Sequence, residues 1–153
     1  QNPNKAIIIC KSLSKKIDKE FTGIDLILSP AMGGIIVGYE IAKILKKQNI
    51  FAERINGVFS LRRGFKIKPG SNVLIIEDVI TTGKSSLECE NLVIKSKANI
   101  IGFACIIDRT NGKSKIKKKI VSELSLIIPT YDEKNLPENL QKITPIKPGS
   151  REV

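Results

Sequence analysis

The chain of 153 residues is the size of one domain, and at 41% hydrophobic residues it can bury a core, which excludes a disordered protein. Its 26 basic residues outweigh 15 acidic ones to give +11, a balance suited to nucleic acid or to a small polyanion steered inward by the positive field. Histidine is absent, so Ser-His-Asp and Cys-His catalysis are excluded, and with no apolar run near ~18 residues no membrane partner is expected.

Asn2-Pro3 reads as N-cap and first helical residue, and Ala6, Ile9, Cys10, Leu13 and Ile17 follow at spacings of three and four, predicting an amphipathic helix to about Glu20. Ile24 to Ser29 predicts a buried strand, "PAMGG" a break, and Ile35 to Lys47 a helix with a lysine-rich end. A second strand is expected over Ile50 to Arg54, followed by a polar, glycine-punctuated connection with a turn at Pro69-Gly70. Val73 to Glu77 predicts a third strand, "DVITTG" a loop and Lys84 to Lys97 a helix. Ile100 to Asp108 predicts a fourth strand and Val121 to Ile128 a fifth. From about residue 130 the chain reads as a polar tail of a single domain spanning 1–153 rather than a second domain.

Strands alternating with helices predict an α/β fold, a mostly parallel central sheet flanked by helices on both faces in Rossmann-like fashion. Ligands of such sheets bind beyond the carboxyl ends of the strands. The loops after Ser29, Arg54, Glu77 and Asp108 are therefore the candidate site.

The cysteines Cys10, Cys89 and Cys105 are widely spaced, with no C-x-x-C, which fits neither a disulfide framework nor a zinc site. With no signal-peptide pattern at the start, the expected compartment is the reducing cytoplasm. The lysines cluster only in "KSKIKKKI", Lys113 to Ile120, and aromatic residues make up 5% of the chain, so no stacking platform accompanies the basic residues. A small polyanion is accordingly preferred over nucleic acid.

"VLIIEDVITTGKSS", Val73 to Ser86, ends like a nucleotide-binding P-loop, but Asp78 stands where that loop needs its first glycine, with Glu77 beside it. Unit charges ~4 Å apart at an effective dielectric near 20 repel by about 4 kcal/mol, so two acids against a phosphate cradle defeat that reading. Taken in halves, the stretch makes sense. Thr81, Thr82, Gly83, Lys84, Ser85 and Ser86 form a hydroxyl-rich turn at a helix N-terminus, a natural phosphate cup. Glu77 and Asp78 can accept hydrogen bonds from sugar hydroxyls or face Mg²⁺. Together they describe a ribose 5-phosphate site.

The same stretch resembles the PRPP loop of type I phosphoribosyltransferases: four hydrophobic residues, two acids and a Thr/Gly turn. With "LILSPAMGGIIVGYEIAK", "FAERINGVFSLRRGF", "IIDRTNG" and "IPTYDEKNLPENLQKITPIKPGSR", essentially the whole chain is similar to bacterial orotate phosphoribosyltransferases. That resemblance implies a pentosyltransferase of pyrimidine (UMP) biosynthesis, converting orotate and PRPP to orotidine 5′-monophosphate and pyrophosphate. It implies Mg²⁺, carried mainly by PRPP and reached by Glu77 or Asp78, and a homodimer with a shared active site. The family's N-terminal hood over the base is expected to lie upstream of Gln1.

By resemblance, Glu77, Asp78, Val79, Ile80, Thr81, Thr82, Gly83, Lys84 and Ser85 bind PRPP, the acids at the ribose and the turn at the 5′-phosphate. Ala31, Met32, Gly33 and Gly34 match the pyrophosphate loop, where many relatives have a lysine in place of Gly33. Lys84 stands where the family often has a second glycine. Arg54, Arg62 and Arg63 surround a segment matching the basic loop that closes over PRPP, and with Asp78 they are the catalytic candidates. Relatives often carry Lys and His in that loop; here arginines, which bind phosphate bidentately, stand in. Arg109 and Thr81 match the orotate contacts, and the plain alternative for Arg109 is an ion pair with Asp108. The alternatives in function are a phosphoribosyltransferase for a purine base, and a PRPP-sensing regulator that binds nucleic acid through Lys113 to Ile120.

Overall fold

A computed structural model describes residues 2–129, 131–144 and 146. Helix α1 (Pro3–Glu20) starts as its sequence directs, the Asn2 side chain accepting the Lys5 N–H at 3.3 Å with Pro3 opening the first turn. Strand β1 (Leu26–Pro30), helix α2 (Gly33–Leu45) and strand β2 (Gln48–Ile55) follow. After them come β3 (Val58–Leu61), β4 (Asn72–Ile80), helix α3 (Lys84–Lys95), β5 (Asn99–Asp108) and β6 (Ile120–Ser125). The strands form one sheet in the order β3-β2-β1-β4-β5-β6, parallel throughout except for the β2–β3 hairpin.

The expected α/β architecture is present, with two corrections. The connection after β2 contains the strand β3, reached through a turn at Asn56 and Gly57, both with positive φ. Asn-Gly is a strong hairpin signal, but the polar context hid it. Strand β4 also runs on through Val79 and Ile80, paired with Ile107 and Asp108, so the acids sit on a strand and the loop shrinks to Thr81–Gly83. In the described part of the tail there are a short 3-10 turn, Glu133–Asn135, and one helical turn, Glu138–Gln141. The final stretch of the family-like tail, residues 147–153, lies outside the described residues.

The sheet is covered on both faces because its central strands are apolar on both. Leu74 and Ile76 of β4 pack with Cys10, Leu13 and Ile17 of α1 and Val37 and Ile41 of α2. Val73 and Ile75, on the other face, pack with Cys89 and Val93 of α3. Burial pushes the Cys89 and Cys105 thiols up to about 12, so both stay neutral packing groups. Gly102 of β5 lets Phe21 lie against the sheet: a Cβ there would fall 2.3 Å from a Phe21 ring carbon and 3.1 Å from the Lys119 carbonyl oxygen. Gly102→Ala is expected to destabilise the fold by ~1–3 kcal/mol through overpacking. An unchanged urea midpoint would show that the ring moves aside freely.

Candidate active site

The carboxyl ends of β1, β2 and β4 surround a cavity of about 700 Å³ lined by Pro30–Gly34, Glu53, Arg54 and Glu77–Ser85. Its floor follows from strand alternation, since neighbouring residues of β4 face opposite sides of the sheet. Glu77 continues the side of Val73 and Ile75, toward α3, where its Oε1 accepts the Ser86 hydroxyl and only 8% of it is exposed. Asp78 continues the side of Leu74 and Ile76, toward α2. A Cβ on Gly33 would lie 2.2 Å from Asp78 Oδ2, so the glycine keeps the place open for the carboxylate. Among the described residues Asp78 forms no hydrogen bond or ion pair with the protein. Ala31 and Met32, joined by a cis peptide, complete the wall above it.

The Thr/Gly turn leads into the start of α3. Gly83 has φ +77°, which lets the chain turn sharply from Thr81-Thr82 into the helix, and the Lys84 N–H donates to Thr82 Oγ1 at 3.3 Å. The remaining first-turn amides have no intrahelical acceptor, and Gly83, Lys84 and Ser85 at this helix end line the cavity.

On the other side of this turn lies a second cavity, of about 670 Å³. Thr81, Thr82 and Lys84 line both. The second also takes Glu88 and Asn91 from α3, and Arg109, Thr110, Lys113, Ser114 and Lys115 from the segment after β5. That segment is held locally: the Arg109 N–H donates to Ile80 O at 2.8 Å, and Asp108 Oδ1 accepts the Thr110 N–H at 2.7 Å. Asp108 is thus used by the loop, and it forms no ion pair with Arg109 among the described residues. The Arg109 Nε is buried and has no hydrogen-bond partner among the described residues.

The three hairpin arginines part company. Arg54 lines the first cavity, stacks over Phe59 with its guanidinium 4.1 Å from the ring centroid, and pairs with Glu88 at 2.6 Å. Arg63 forks onto Glu53 through two hydrogen bonds of 2.9 Å, and this partner holds the Glu53 carboxyl below its ordinary range. Neither Arg62 nor Arg63 lines either cavity; Arg62 is exposed. Glu53 and Glu88 were not among the candidates read from sequence, and Ser86, read there as part of the hydroxyl-rich turn, donates to Glu77 instead. They matter because of partners on other elements, which no local spacing announces. The lysine run also divides: Lys113 and Lys115 line the second cavity, while Lys119 pairs with Glu20 of α1. No three metal-ligating side chains converge among the described residues.

Residues 1–142 match the phosphoribosyl transferase domain family. The orotate phosphoribosyltransferase of Parvibaculum lavamentivorans is 44% identical over 153 residues, covering 99% of this chain and 79% of that protein. Among solved structures, adenine phosphoribosyltransferase from Thermoanaerobacter pseudethanolicus superposes with a TM-score of 0.71 at 16% identity, covering 82% of this chain and 83% of the other. Orotate phosphoribosyltransferase from Aeropyrum pernix superposes with a TM-score of 0.70, also at 16% identity, covering 82% and 73%. At such identities the two structures speak to the fold alone.

Proposed function

This chain belongs to the orotate phosphoribosyltransferase family, and from that premise we propose that it transfers the 5-phosphoribosyl group of PRPP to N1 of orotate, releasing pyrophosphate. The observation that carries this reading is the pairing of cavities across one Thr/Gly turn. One holds free carboxylate and helix amides, and the other is cationic. Lys84, Arg109, Lys113 and Lys115 line the second cavity against a single carboxylate, Glu88, which is already paired with Arg54. An anionic base gains from that excess charge, and a neutral purine does not.

In this reading Thr81–Ser85 hold the 5′-phosphate through amides and hydroxyls, and Asp78 and Glu77 accept from the ribose hydroxyls. Backbone donors of Met32–Gly34 face the departing pyrophosphate, the Ala31 N–H being held by the Ala52 carbonyl at 2.8 Å, while Arg109 and Thr81 orient orotate. Bond breaking at C1 runs ahead of bond making, so charge builds on the pyrophosphate and on an oxocarbenium-like ribose. Positioning and fixed charges serve such a reaction better than a protein nucleophile. Mg²⁺ fits the carboxylates present: with Asp78 uncommitted and no three-ligand cage among the described residues, it would be carried mainly by substrate oxygens and touched by one or two acids. Its chemistry is to neutralise the pyrophosphate as it leaves. Arg54 is the hairpin cation in place for this chemistry; for Arg63 to take part it must leave Glu53.

The three free cysteines suit a reducing cytoplasm, and no helix among the described residues is long and apolar enough to cross a membrane. A homodimer is favoured by the α2 face beside the cavity, where Met32, Ile36 and Tyr39 are 82%, 69% and 58% exposed. The direct test mixes the chain with PRPP, Mg²⁺ and orotate and follows the loss of orotate absorbance. Turnover of adenine or hypoxanthine in its place would overturn the choice of base.

The Lys84 side chain makes no ion pair among the described residues and lines both cavities. Its ammonium adds charge to a cup whose hydrogen bonds come from backbone amides and hydroxyls. Lys84→Gly is expected to raise KM for PRPP about two- to tenfold at low salt, the scale of a lone exposed charge. That difference should shrink in 0.5 M KCl, to which a lost backbone contact would be indifferent.

A further inference from the structure

We propose that a cleft at the amino-terminal end of the sheet is a second anion site, suited to the phosphate chain of a small oligophosphate. The cleft, about 620 Å³, opens where β1 and β2 begin and below the turn that precedes β4, and it shares no lining residue with either cavity of the candidate active site. The proposal therefore stands apart from the transferase reading.

Two lysine pairs from separate segments form its walls. Lys46 and Lys47 come from the turn that ends α2, and Lys66 and Lys68 from the connection before Pro69. One carboxylate, Asp25, faces them, and its Oδ2 already accepts the Asn72 N–H at 2.9 Å. None of the four ammonium groups has an ion pair or hydrogen bond among the described residues. Lysines at a helix C-terminus have an ordinary reason to be there, since they complement its dipole. That explains Lys46 and Lys47 but not the opposite pair, which caps no helix. Like charges around one concavity repel within a screening length, and a multiply charged anion relieves all of them together.

The shape favours a small ligand over a nucleic-acid strand, since the site is a concave cleft and not a continuous rail. No aromatic side chain lines it, so no base is stacked there and recognition falls on the phosphates. Lysines act as mobile point charges and suit a flexible phosphate chain better than a planar carboxylate.

Isothermal titration calorimetry of the full chain with inorganic tripolyphosphate at low salt tests the assignment. The wild-type chain is expected to bind in two classes, one at the catalytic cavity and one here. The variant Lys46→Gln, Lys47→Gln, Lys66→Gln, Lys68→Gln should lose one class, or weaken it at least tenfold, while keeping its circular dichroism and melting temperature. The two-site variant Lys66→Gln, Lys68→Gln should give an intermediate loss and carries the same test if the larger variant misfolds. Unchanged stoichiometry and affinity in these variants would overturn the proposal. So would displacement of tripolyphosphate from this class by single-stranded RNA at lower concentration than by tripolyphosphate itself, which would make it a nucleic-acid surface.

Discussion

Asp78→Asn is expected to lower kcat/KM for PRPP by roughly 10- to 150-fold, the cost of one or two charge-assisted hydrogen bonds worth ~1.5–3 kcal/mol. The fold should survive the change, because this carboxylate is used by no other group among the described residues. Glu77→Gln is the informative contrast. Glu77 is buried and accepts from Ser86, so its replacement disturbs β4 and α3 as well as any ribose contact. Steady-state kinetics with varied PRPP, beside urea melts of both variants, separate the two acids. Asp78→Asn should lose activity with little stability, and Glu77→Gln should lose both. Unaltered PRPP kinetics in Asp78→Asn would remove the ribose assignment.

The second large effect is expected at Arg109. Arg109→Ala should raise KM for orotate by about 10- to 150-fold, since the guanidinium lines the second cavity and its buried Nε has no hydrogen-bond partner among the described residues. KM for PRPP should stay within about twofold, because the phosphate cup and the acids belong to β4 and α3. The backbone bond from residue 109 to Ile80 is kept by any side chain, so the loop should hold. Arg109→Lys should recover only part of the loss, as a point charge cannot reproduce a planar fork. Equal losses for both substrates would argue that Arg109 shapes the site as a whole and does not read the base.

Much of this was legible along the chain because it rests on local chemistry. Four apolar residues followed by two acids and a Thr/Gly turn mark a buried strand ending at a polar rim. The N-cap at Asn2 and the periodicity to Ile17 fixed α1 to within a residue or two. Where the reading failed, a partner was missing from view. Strand β3 exists because Val58–Leu61 pair with β2, and "DVI" is strand because β5 lies beside it. For Arg54, Arg62 and Arg63, read as one basic loop, the structure adds placement only: Arg63 forks onto Glu53, and of the three Arg54 alone lines the cavity.

The sequence by itself determined the fold class, the acid pair and the Thr/Gly turn, since each is written in a few consecutive residues. Only the tertiary structure decided that Glu77 serves α3 while Asp78 stands free beside Gly33. It also decided that the turn divides two cavities of different charge. Alternation along a strand says that two neighbours point opposite ways, but which layer waits on each side depends on helices packed from elsewhere in the chain.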